Sequence, residues 1–160
     1  MEKDKISSKV NEMLEKTRLS EKEGAYIEMM CLSIGDENML IPVFEVEEVV
    51  RVQPLTRVPM APEHLLGVCN VHGQIACVID PCVVMRLGCK SNQDTEETRF
   101  VVLRHPSMNL ALKVAVVSAL FRVQEDLLPN LEVNKKSFFR GELQVEGKSY
   151  QVIHTDVFFA

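Results

Sequence analysis

The sequence predicts an all-β protein of two small barrels, preceded by one short amphipathic helix. Three observations carry this. From Tyr26 onward, apolar runs of strand length are separated by turns containing glycine or asparagine. Two glycine pairs share one spacing: Gly67 with Gly73, and Gly141 with Gly147. Each pair brackets an alternating strand, and the apolar strand that follows ends at an acid, Asp80 or Asp156. This echo points to two similar barrels side by side, and closing the sheets would remove edges that invite aggregation. Only residues 4–17 show a clear helical period.

Composition narrows the function classes. A chain of 160 residues suits one domain, or two very small halves sharing a core. Apolar residues make up 46% and charged residues 26%, as expected of a soluble domain with a real interior. The formal net charge of −5, with no basic block, argues against nucleic acid and against docking on an acidic membrane surface. No run reaches the roughly eighteen apolar residues of a membrane helix. The start, MEKDKISSKVNEM, lacks the apolar segment of a signal peptide, so a cytoplasmic protein is expected. The five cysteines include no C-x-x-C pair and are expected to be buried free thiols.

The elements follow in order. In DKISSKVNEMLEKT, Ile6, Val10, Met13 and Leu14 share one helical face. A helix this short is marginal in water, so it must pack on something, its own domain by preference or else a partner. LSEKEG breaks the pattern and reads as a linker, giving a helix and linker over 1–25 and a folded domain over 26–160. YIEMMCLSIGDENMLIPV is a hairpin turning at Gly35 and Asn38. FEVEEVVRV is open between strand and short helix. PLTRVPMAPEHLLG, with three prolines, reads as an ordered loop and a single turn of helix. VCNVHGQIACVID is a hairpin turning tightly at His72 and Gly73. PCVVMRLGC reads as a short helix between Pro81 and Gly88. KSNQDTEET is the expected mobile loop. FVVLR, LALKVAVV and LFRV are strands, with a turn at HPSMN. QEDLLPNLEVNKKS is less regular, and FFRGELQVEGKSYQVIHTDVFF closes the chain as another hairpin.

Little here is arranged for catalysis. With a two-residue turn at His72 and Gly73, Val68, Asn70, Ile75, Cys77 and Ile79 share one face, and Cys69, Val71, Gln74, Ala76 and Val78 share the other. Cys69 and Cys77 then point apart and cannot readily share a metal or a disulfide, and no second Cys/His pair completes a tetrahedral site. The four histidines, His64, His72, His105 and His154, sit in no nucleophile motif, zinc-protease motif or phosphate loop. Asp80 and Asp156 stand at strand ends, where carboxylates commonly cap the next turn. His72, at an exposed turn, is either a solvated polar residue or a contact on a binding surface.

The segment PEHLLGVCNVHGQIACVIDP resembles the signature of CheW-like domains, Gly-hydrophobic-x-Asn-Leu-Arg-Gly followed by a strand ending in Asp. Gly67, Val68, Asn70, Gly73, Ile79 and Asp80 carry the match. Upstream, Val46, Glu48, Val49, Val58, Pro59 and Pro62 match the family's Val-x-Glu-Val segment and Val-Pro-x-x-Pro approach. Gly141, Gly147 and Asp156 match its closing strands, so the resemblance spans about residues 26–159. It implies two five-stranded SH3-like barrels sharing a core, and no cofactor, metal or catalysis. It implies an adaptor that couples methyl-accepting chemoreceptors to a CheA-type histidine kinase, in chemotaxis or type IV pilus twitching motility. The first barrel would meet the kinase regulatory domain and a groove between barrels the receptor tip, with recruitment to membrane-associated arrays but no membrane insertion. Expected contact residues are Glu48, Gly67, Val68, His72 and Gly73.

Three departures mark a divergent member. His72 stands where the family has arginine; arginine is always charged and forked, whereas histidine is shorter and titrates near neutrality. Ala111 and Ala115 replace the usual residues of a later strand. Cys77 occupies the usual proline position before Ile79 and Asp80. Two other readings stand beside the adaptor: a structural or assembly protein of a pilus or surface system that kept the fold without kinase coupling, and a small histidine-dependent enzyme.

Overall fold

The computed structural model describes residues 7–15, 26–89, 93–128 and 137–159. Ile6, the linker LSEKEG and most of the less regular stretch after Leu128 therefore lie outside the described residues, as do residues 90–92 of the expected mobile loop. The described elements are a helix α1 (7–15), strands β1 (Tyr26–Ile34), β2 (Glu37–Pro42), β3 (Val46–Arg51), β4 (Leu65–Val71) and β5 (Gln74–Ile79), a one-turn helix α2 (Pro81–Val84), and strands β6 (Arg99–Leu103), β7 (Leu110–Val114), β8 (Val116–Gln124), β9 (Phe139–Val145) and β10 (Lys148–Ile153).

Two five-stranded sheets form, ordered β8-β1-β2-β10-β9 and β3-β6-β7-β5-β4. Each has three antiparallel strands joined through one parallel pairing, β2 with β10 or β7 with β5, to a final hairpin. The pairing pattern is the same in both. Only the chain order differs: the second sheet is one continuous stretch, whereas the first is assembled from both sides of it. The glycine echo has a conformational basis. Gly67 and Gly141 have φ of +151° and +144°, and Gly73 and Gly147 have +82° and +77°.

Alternation along the strands explains why these sheets curl. Successive side chains face opposite sides of a strand. In the second sheet, Cys69, Val78, Phe100, Val102 and Ala111, with Val50 beside them, form one cluster drawn from all five strands. In the first sheet, Met29, Cys31, Leu40, Val123, Leu143 and Val152 do the same. A sheet whose five strands converge on one cluster is a barrel; we call β3–β7 barrel one and the other sheet barrel two. The opposite faces meet in a third and larger cluster containing Leu32, Ile41, Val101, Leu112 and Ile153. Val10 and Leu14 of α1 are buried in that shared core. The Asn11 side chain accepts the Val49 N–H of β3 at 3.4 Å.

The structure corrects three local expectations and resolves one that the sequence leaves open. The residues before β4 form a hydrogen-bonded turn, Leu65 N–H to Pro62 O at 3.0 Å, and no turn of helix. FEVEEVVRV divides into a 3-10 turn, Val43–Glu45, and strand β3. LALKVAVV is two strands broken at Ala115, whose N–H turns to Ser33 O in β1 of the other sheet. Cys82 and Cys89 are joined in a disulfide, leaving Cys31, Cys69 and Cys77 as free thiols. The expectation of five free thiols failed because the bend after α2, with Arg86 and Gly88 both left-handed at φ +55° and +74°, returns Cys89 to within 5.4 Å (Cα–Cα) of Cys82, a proximity no cysteine spacing motif signals. Cys69 and Cys77 do face different clusters, as strand alternation required.

Candidate protein-contact surface

The β4–β5 hairpin turns through His72 (φ +50°) and Gly73 (φ +82°), both left-handed, which is the turn whose twist matches the flanking strands. Histidine is among the few non-glycine residues enriched in that conformation. The Asn70 side chain accepts the Gly73 N–H at 2.8 Å and fixes the turn. The imidazole is thereby held out from the barrel end with its side chain 76% exposed.

His72 Nε2 lies 2.9 Å from Glu48 Oε2. A bulge delivers Glu48 to this place. The β3–β6 register slips between Val46 and Glu48, so Val46 and Val49 both enter the shared core. Glu48 turns instead to the side of the barrel where Val50 joins the barrel-one cluster. Both partners are at least partly open to water, so the contact adds little to fold stability, on the order of 1 kcal/mol at most. The contact joins a ring nitrogen to a carboxylate oxygen across the two segments.

The glycines of the motif differ in use. A Cβ at Gly67 would sit 2.8 Å from Thr56 O and 2.9 Å from Leu55 Cβ. Gly67 therefore lets the loop after β3 close on β4, where Thr56 and Val68 exchange backbone bonds of 2.9 Å. Gly73 has open space where a side chain would be. Val68 is half-buried and shares its strand face with the exposed Asn70 and Ile75. Ile75, 68% exposed, was missed by sequence reasoning as a contact candidate, although its face was read correctly; alternation does not say which face meets water. Met60, wholly exposed at φ +60° in the proline loop, carried no periodic signal at all.

The departures from the family motif also find places. Ala111 is buried inside barrel one, where its methyl packs in the cluster of Val78, Phe100 and Val102, so it is an interior residue and not a surface contact. Ala115 sits at the β7–β8 break. Asp80 caps α2 by accepting the Cys82 N–H at 3.0 Å. Of the other histidines, the buried His154 is held by Ser137 O at 3.2 Å and His105 stacks on Phe159 at 4.1 Å. Among the described residues, no group of three or more His, Cys, Asp or Glu side chains is placed to hold a metal. No described helix is long and apolar enough to cross a membrane.

Two barrels thus stand on one core, and the β4–β5 hairpin presents a polar pair and an exposed isoleucine to water. Residues 28–160 match the CheW-like domain, and the chain belongs to that family. It is a coupling adaptor and not an enzyme. It is 29% identical over 136 residues to the chemotaxis protein CheW of Rhizobium meliloti, covering 82% of this chain and 86% of that one. It is 36% identical over 72 residues to the chemotaxis protein CheW of Helicobacter pylori, covering 45% and 42%. The fold is similar to that of the scaffolding protein TtCheW from Thermoanaerobacter tengcongensis, with a TM-score of 0.68 at 22% identity, covering 81% of this chain and 84% of that one.

Proposed function

We propose that this chain couples chemoreceptors to a CheA-type histidine kinase, and that the tip of the β4–β5 hairpin with Glu48 is a contact surface for one of them. Its mechanism is to hold two partners in one assembly, so that a change in one shifts the population of the other. The observation that supports this reading is the His72–Glu48 contact at 2.9 Å, which joins residues from two segments at an exposed tip without contributing to the core. Glu48, Val68, His72 and Gly73 form the contact; Gly67 supports it by closing the loop beneath. We also take residues 1–25 as a helix and linker appended to a domain over 26–160.

The test is binding of the purified chain to a kinase regulatory domain and to a receptor signalling fragment. His72→Ala and Glu48→Gln are each expected to weaken one of these about tenfold, roughly 1.4 kcal/mol, with an unchanged melting temperature. Unchanged affinity for both partners in both folded variants would remove the hairpin tip from the contact.

A further inference from the structure

The disulfide has no part in the surface above. It joins Cys82, in the first turn of α2, to Cys89, seven residues on, with Cα atoms 5.4 Å apart. Its surroundings belong partly to the other barrel. A Cβ at Gly35, in the β1–β2 turn of barrel two, would lie 2.6 Å from Cys89 Cβ, 2.8 Å from Cys89 Sγ and 3.5 Å from Cys82 Sγ. The bond thus sits in a notch that glycine leaves open, and it presses the segment after α2 against barrel two. A cavity of about 210 Å³ opens beside it, lined by Gly35, Cys82, Thr95, Thr98 and Lys113 among others. Cys82 is buried and Cys89 only half-buried, so Cys89 is the more accessible of the two.

We propose that Cys82–Cys89 is a reversible thiol–disulfide site that locks the segment after α2 onto the β1–β2 turn, and that reduction releases this segment. The closed loop is short, so the bond constrains the unfolded chain less than a long-range bridge would. Its effect is local. In a compartment rich in thiols, a protein disulfide is characteristically transient or redox-sensing. The reductant is a low-molecular-weight thiol of the glutathione class. Its thiolate attacks Cys89 Sγ, forms a mixed disulfide and expels Cys82 as a thiolate, which takes up a proton. A second thiol resolves the mixed disulfide, leaving two protein thiols and one disulfide of the reagent; the two electrons come from the two thiols consumed.

The test uses the full chain equilibrated with oxidised and then with reduced glutathione. After oxidised glutathione, the denatured chain is expected to show three alkylatable cysteines, and after reduced glutathione all five, reversibly. Amide exchange at residues 34–37 and 83–89 is expected to quicken about tenfold on reduction, and equally in Cys89→Ser, with β6 unchanged. Five alkylatable cysteines after oxidised glutathione would overturn the site. A bond that forms without changing exchange at residues 34–37 would overturn the lock. Loss of protection throughout β6 on reduction would make the bond a structural staple and overturn the switch.

Discussion

Burial sets the acidity of Glu45, in the turn that crosses from one barrel to the other. Desolvation raises its carboxyl from 4.5 to about 7, against the opposing pull of Arg140 and of the Thr155 hydroxyl, which donates to it at 3.0 Å. The folded state therefore holds this proton more tightly than the unfolded chain. The stability it contributes is complete below about pH 4.5 and is lost as pH rises through about 7. The urea midpoint of the wild type is expected to fall across this window relative to Glu45→Gln, whose own profile lacks this slope. The glycines make a second comparison. Gly67→Ala drives a methyl into Thr56 O and is expected to cost more than about 2 kcal/mol. Gly73→Ala meets no neighbour and carries only its left-handed φ, about 1 kcal/mol. Thermal melts of the two variants side by side check this difference. No sequence pattern distinguishes these two glycines, because the distinction lies in what approaches each from elsewhere in the chain.

At the scale of elements, α1 shows how far periodicity reaches. Its apolar face was legible, since Val10 and Leu14 lie four apart on a helix and both are buried. What that face covers was not legible, because the shared core is built from strands up to the end of the chain. Leu14→Ala is expected to cost about 2–5 kcal/mol, measured by urea unfolding, as for other fully buried leucines. A cost under about 1 kcal/mol would show that α1 is not part of the folded core. The hairpins were legible for a related reason: paired strands with a two-residue turn are local, and their alternation sets the faces. The bulge at Glu47 was not, since it depends on the register with β6, a strand far along the chain.

For the whole molecule, the largest cluster is shared by both barrels and α1, so neither barrel holds all of its own core. Unfolding is expected to be a single transition. Tyr26 and Tyr150 belong to barrel two, and their fluorescence midpoint in urea should coincide with the loss of amide protection in β6 of barrel one. Two separated midpoints would show barrels that fold independently.

The sequence by itself determined the fold class, the hairpins, the helical face of α1, the opposite facing of Cys69 and Cys77, and the family resemblance. Each of these depends on residues close together in the chain, where backbone period and turn chemistry act directly. The tertiary structure alone decided the His72–Glu48 contact, the raised acidity of Glu45, the different duties of Gly67 and Gly73, and the setting of the Cys82–Cys89 bond against Gly35. Those depend on distance and burial between segments far apart in sequence, quantities that exist only once the two barrels have closed on their common core.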